Sequence, residues 1–256
     1  MRVQINLLPL LLLPLCLSVH AERLEVTADE WCPLNCQPDA AKPGYAVEVL
    51  QAVFAQDAIH YRVAPWKRAV LRTKNGTSAA AIGAGQDSAE REGLQIGQEP
   101  IGYVTDCLYV ASGHAARYRG QADDLNPLRR VGVVLGYVYT EGFKEWLARP
   151  ANQPKIFTAT GDQPAALNLR KLKEGTLDGV IETSMVMDYL LSKAGLAETL
   201  VSVGCDRPEP VYVAFGPKGS QGDARVRQFD QGLAALRRSG KLAEILANYG
   251  LKDWKQ

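Results

Sequence analysis

The sequence has no surplus of charge of either sign. Of its 256 residues, 29 are Lys or Arg and 28 are Asp or Glu. Arg2 is the only charge in residues 1–21, so the rest of the chain is evenly balanced. Nucleic-acid binding draws on an excess of Lys and Arg, so this balance excludes nucleic acid as the main partner. Histidine is scarce: only His60 and His114 lie beyond residue 21. His60 opens a strand and reads as structural, and His114 sits in a polar loop and reads as solvated. The common catalytic signatures are missing: no GxSxG elbow, no HExxH, no GK[ST] phosphate loop, and no GxGxxG opening a helix after a strand. GAGQ at Gly83 to Gln86 lacks the third glycine and reads as a tight strand exit. Past the first segment, no apolar run reaches the ~20 residues that a membrane span needs. There is no tandem repeat and no low-complexity linker. What is present, 46% apolar and 22% charged residues, is an ordinary globular composition. The length suits two lobes of about 100 residues each.

The first segment reads as an export address. It has one early positive charge, an apolar run from Leu7 to Leu17, and then Val19-His20-Ala21, which suits cleavage after Ala21. The run is too short for a membrane anchor, and Pro9 and Pro14 interrupt it. Cys16 follows Leu15, not the small residue of a lipoprotein signal. The expected location is therefore an oxidising compartment, the periplasm. An even number of cysteines there suggests two disulfides, with three pairings open: Cys32, Cys36, Cys107 and Cys205. Cys32 and Cys36 sit in a turn-forming WCPLNC, which would leave Cys107 with Cys205. A metal site is the rival, but no histidine lies near these cysteines in sequence. No metal and no cofactor is expected.

Strand and helix patterns alternate along the chain. RLEVTA, HYRVA, AAAIGA, CLYVAS, VGVVLG, KIFTA, LDGVIET, TLVSVG and VYVAF read as strands. GYAVEVLQAVFAQ, PWKRAVLRTK, DQPAALNLRKLK, MVMDYLLSKAG and two C-terminal segments read as helices, with Asp162 a candidate cap and a further helix running from Gly136 through Phe143 to Leu147. This alternation implies α/β architecture in two halves, with parallel sheets covered on both faces.

Polar and aromatic residues gather at the strand ends, where open α/β sheets bind ligands. Trp31 follows the first strand. Arg91 follows AAAIGA, in QDSAEREG. Gly136, Tyr137 and Tyr139 follow VGVVL, and Glu182 and Thr183 end LDGVIET. Arg grips a carboxylate with a planar fork, aromatic rings give faces to stack on, and a helix start offers free N–H groups to an anion. These are the parts of a small-molecule cleft.

At these residues the chain resembles the amino-acid-type (family 3) extracellular solute-binding proteins of bacterial ABC importers. The likeness runs through VTADEWCP, PGYAVEVLQAVF, PWKRAVLRTKNG, DSAER as a loop of the form T-x-x-E-R, EPIGY, LGYVY, LDGVIET, VYVAFGPKG and SGKLAEILANYG. It implies a two-lobed periplasmic-binding-protein fold (type II), each lobe a mostly parallel sheet flanked by helices, with two crossover hinge strands. The implied boundaries are residues 1–21 for the leader, 22–103 and 208–256 for lobe 1, and 104–207 for lobe 2. Arg91 would clamp a ligand carboxylate, Trp31 would stack on the ligand, and the N–H groups of Gly136 and Tyr137 would assist the anion. Trp66 and Arg68 in PWKRA would face the cleft. Where amino-acid binders of the family carry an Asp for the α-ammonium, the spacing places Thr183, which cannot balance a buried charge; Ser88 likewise replaces the family's Thr. Cys107 and Cys205, at the two crossovers, would tie the lobe junction.

The implied activity is capture, without catalysis, of a small carboxylate-bearing ligand, an amino acid or related metabolite, between the two lobes of a monomer that delivers it to an inner-membrane ABC permease. Two alternatives share the scaffold: a cyclohexadienyl-dehydratase-like enzyme, with Glu182 as its acid/base candidate, and a ligand-sensing subunit for a membrane receptor.

Overall fold

The computed structural model describes residues 23–255, and the expected leader with its cleavage point lies outside them. The chain builds one sheet, leaves it to build a second, and returns. The outgoing part comprises β1 (Arg23–Ala28), α1 (Tyr45–Val53), β2 (Ala58–Val63), α2 (Trp66–Lys74), β3 (Ala80–Ala84), α3 (Gln86–Glu92), β4 (Gln95–Ile96) and β5 (Gly102–Val104). The middle comprises β6 (Asp106–Ala111), β7 (Val131–Val134), α4 (Glu141–Ala148), β8 (Ile156–Ala159), α5 (Pro164–Lys173), β9 (Gly179–Thr183), α6 (Ser184–Ala194) and β10 (Leu200–Cys205). The return comprises β11 (Glu209–Phe215), α7 (Ser220–Arg238) and α8 (Lys241–Ala247).

The first sheet has the order β2-β1-β3-β11-β4, with β5 also on β11, and the second the order β10-β6-β9-β7-β8. Both are mixed, not wholly parallel as the alternation suggested. The parallel pairs are β1 with β2 and β3, and β7 with β8 and β9. The strands that carry the chain between lobes break the rule. The returning β11 runs antiparallel to β3, β4 and β5, and β6 runs antiparallel to β9 and β10. Strands of a βαβ unit are parallel by construction, whereas a strand entering from the other lobe is under no such constraint.

Each sheet has its own core. In the first lobe, the buried Tyr45, Val47, Val49 and Leu50 of α1 cluster with Phe54, Ile82, Phe215, Phe229 and Leu233. In the second, Leu108, Val131, Phe143, Trp146 and Ile181 form one cluster, and Tyr109, Leu169, Val180 and Met187 another. Gly44 caps α1 at φ 112°, and a Cβ there would meet the Leu34 carbonyl oxygen at 2.5 Å, so the Gly-aromatic helix start is a packing requirement. Both expected disulfides, Cys32–Cys36 and Cys107–Cys205, are present. Cys107 and Cys205 are register partners on β6 and β10, beside the passage between lobes. Among the described residues no helix is long and apolar enough to cross a membrane.

Three local expectations are corrected. The T-x-x-E-R stretch is a helix, α3, closed by Gly93 in the left-handed conformation (φ 68°), not a loop. The helix after VGVVLG begins at Glu141 and not at Gly136. Gly136 takes φ 88°, and the Tyr137 N–H bonds the Val134 carbonyl in a turn, so the chain needs several more residues to reach helical geometry. Asp162 does not cap α5; Gln163 holds that position, with Pro164 as first helical residue.

Candidate functional site

The two lobes face each other across a cavity of about 350 Å³. Lobe 1 supplies Asp29 and Trp31 beyond β1, Trp66 at the start of α2, Gly83 in β3, Gly85, Gln86, Asp87 and Ser88 at the start of α3, and Glu209 to Val211 from the returning crossover, with Val104 on the outgoing one. The second lobe supplies Asp106 at the head of β6, the Tyr137-Val138-Tyr139 loop, and Thr140, Glu141 and Lys144 at the start of α4. The carboxyl ends of β1, β3 and β7 thus open on one space, as expected for an α/β ligand cleft.

The lobes exchange polar contacts here. The Tyr137 hydroxyl donates to Asp29 Oδ2. In the opposite direction, Trp31 Nε1 donates to Glu182 Oε1 at 3.3 Å. Gln163 donates to Glu30 at 2.8 Å. The rings of Trp31 and Tyr137 meet edge to face with centroids 5.9 Å apart, and Tyr139 lies 6.3 Å beyond Tyr137. Tyr137 packs on apolar clusters of both lobes. The Tyr139 hydroxyl accepts the Val134 N–H at 2.8 Å, which fixes the loop between β7 and α4.

Three acids are held away from their ordinary behaviour. Asp29 is buried, and loss of solvation pushes its carboxyl up to about 6 against the opposing Tyr137 hydrogen bond. Asp106 also rises to about 6, from burial first, with the neighbouring charges of Asp206 and Glu209 adding to it; its bond from Thr183 Oγ1, at 3.1 Å, pulls the other way. Glu182 is fully buried at the end of β9 and rises to about 8. Its Oε1 accepts from Trp31 and from the Thr183 N–H, while Oε2 has no partner. Burial disfavours the charged form of each, so at neutral pH Glu182 is protonated and the two aspartates are ionised.

Of the residues singled out from sequence, Trp31, Trp66, Tyr137 and Tyr139 line the cavity. Thr183 is buried behind it, reaching it through Asp106. Gly136 lies outside the lining, against the Lys67 side chain from the other lobe. Arg68 is exposed in the first turn of α2, and Arg91 is exposed in the last turn of α3, whose first residues are the ones that reach the cavity. The reading from sequence passed over Asp29, Asp106, Glu209 and Glu141. Asp29 sits in VTADEW at a strand end, where the rule for open sheets already pointed, and Asp106 and Glu209 each precede an apolar strand at a crossover. Among the described residues no group of three or more His, Cys, Asp or Glu is placed to hold a metal ion.

No family model matches the sequence, and no curated protein matches it. Solved structures do. A histidine kinase sensor domain with similarity to periplasmic binding proteins superposes with a TM-score of 0.75 at 19% identity, over 91% of this chain and 99% of that one. The arginine-, lysine-, histidine-binding protein ArtJ from Geobacillus stearothermophilus gives 0.73 at 19% identity, over 91% and 97%. The ancestral amino acid-binding protein AncCDT-1, a precursor of cyclohexadienyl dehydratase, gives 0.70 at 17% identity, over 89% and 95%. At such identities the likeness speaks for architecture: this chain has the two-lobed α/β fold of periplasmic binding proteins.

Proposed function

We propose that this protein is an exported solute-binding protein that traps a small metabolite between its lobes and passes it to an ABC permease. The observation that carries this reading is the interlobe cavity, of a size suited to one small ligand and walled by both lobes. The Trp31–Glu182 and Tyr137–Asp29 contacts across it join the lobes beside the ligand. Lobe 1, residues 22–103 and 208–256, receives the solute first, and lobe 2, residues 104–207, closes over it by bending at the two crossovers. Neighbours of the same fold bind amino acids, which supports a ligand of similar size. The loaded form docks on its membrane partner as a monomer. Handing the ligand to a membrane receptor would use the same capture step.

A thermal-shift screen of the mature chain against amino acids, organic acids, amines and small peptides tests this. A true ligand at a hundred times its dissociation constant adds about 2.7 kcal/mol of stability. A screen in which no solute raises the melting temperature overturns the reading.

One observation favours a second reading. Glu182 is a buried, protonated acid beside the cavity wall, as a dehydrating enzyme of this fold would need for general acid catalysis. Steady turnover of prephenate that disappears in Glu182→Gln would establish it.

A further inference from the structure

The cavity wall is markedly unbalanced in charge. Asp29, Asp87, Asp106, Glu141 and Glu209 line it, against Lys144 alone. Lys144 is exposed. Arg91 and Arg68, the guanidinium groups expected at the site, lie outside the lining. The two helix starts that open on the cavity add little for an anion. Each carries an acid in its first turn, Asp87 in α3 and Glu141 in α4, which already occupies the favourable end of the helix dipole. Among the described residues, Glu141 is the one of these acids with an ion pair, to Arg207 at 4.0 Å.

The two least exposed of these acids, Asp29 and Asp106, reach the cavity from opposite lobes. Asp29 receives a hydroxyl from Tyr137 and Asp106 one from Thr183; among the described residues neither forms an ion pair. Burial has raised both carboxyls, a cost that a positive charge placed in the cavity beside them would relieve. Around them stand the rings of Trp31, Trp66, Tyr137 and Tyr139. Aromatic faces attract an ammonium or guanidinium group lying within about 6 Å of the ring centre. A free carboxylate on the ligand would face these five acids with the exposed Lys144 as the one cation of the wall to offset them.

We infer that the cavity takes a small organic cation bearing no carboxylate group, with its charged nitrogen drawn to the lining acids Asp29 and Asp106 and its body against Trp31, Trp66 and Tyr137. The inference rests on the capture reading above and names the chemical class of its ligand. Acid pairing supplies the charge recognition, and the rings supply shape and cation–π attraction. The same five acids select against amino acids and dicarboxylates by repulsion, which is how a site discriminates between ligands that differ by one group.

Two matched pairs test this by calorimetry at pH 7.5: agmatine against arginine, and cadaverine against lysine, which differ only in the carboxylate. The expected result is binding of at least one amine, with its amino-acid counterpart at least tenfold weaker. Asp106→Asn should weaken that amine at least tenfold. The comparison of pairs in the wild-type chain stands even if the variant fails to fold. Arginine or lysine binding as tightly as its amine would overturn the cation class while leaving capture intact. Failure of both amines to bind would also overturn it, and the wider thermal-shift screen would then decide on capture separately.

Discussion

Asp29 and Glu182 occupy corresponding places in the two lobes. Each is an acid at the carboxyl end of a sheet strand, and each accepts a hydrogen bond from an aromatic side chain of the other lobe. Their charge states nonetheless differ at neutral pH. Asp29 touches the cavity, and its carboxyl rises only to about 6. Glu182 lies deeper, lacks a partner at Oε2, and sits within reach of the negative charges of Asp106 and Asp29, which raise it further, to about 8. Residue type and strand position do not set how far each carboxyl rises. Burial does, together with the neighbouring charges of Asp106 and Asp29 in the case of Glu182.

The largest expected effect that bears on this contrast is in stability against pH. A carboxyl raised in the folded state favours the protonated form, so its stabilisation is complete below the unfolded value and is lost as pH rises toward the folded one. For Asp29 and Asp106 that loss ends near pH 6. Between about pH 6 and 8 it belongs to Glu182, at about 1.4 kcal/mol per pH unit. Urea unfolding across that range should show the decline in the wild type and a flatter profile in Glu182→Gln. An unchanged slope in the variant would mean that Glu182 is ionised throughout.

A smaller effect is expected from the other half of the pair. Tyr137→Phe keeps the ring contacts and removes the hydroxyl from buried Asp29, at a cost of roughly 1–3 kcal/mol. The same change should raise the Asp29 carboxyl further, because the Tyr137 hydrogen bond lowers it. Carboxyl titration by NMR measures the shift directly. No movement at Asp29 would show that the contact does not persist in solution.

The smallest effect is set at Arg91. Exposed in the last turn of α3, it should tolerate Arg91→Ala with less than a twofold change in affinity for whichever solute the screen finds. A tenfold loss would return the guanidinium to the site.

Much of the architecture could be read from the chain before its structure. Runs such as VGVVL and VYVAF declare buried strands, and the Gly195 stop of α6 follows from residue type alone. QDSAERE could not be read as a helix by the same means, because four of its seven residues are charged and it has no apolar stripe. The antiparallel crossings also escaped, since strand direction depends on which lobe the chain arrives from. At the site, the aromatics were legible because large rings at strand ends stand out. The acids were not: Asp106 and Glu209 look in sequence like ordinary polar residues at strand edges, and only the approach of the second lobe makes them cavity walls. Arg91 owed its expected role to a family resemblance, and a helix starting at Gln86 carries it past the opening.

The Cys107–Cys205 bond, between residues 98 apart in sequence, closes the chain into a covalent ring that holds nearly the whole second lobe. A protease cutting anywhere within that ring opens it without dividing the molecule. Two pieces separate only when a reductant acts as well, so the neck of the protein is also what keeps a damaged copy in one part.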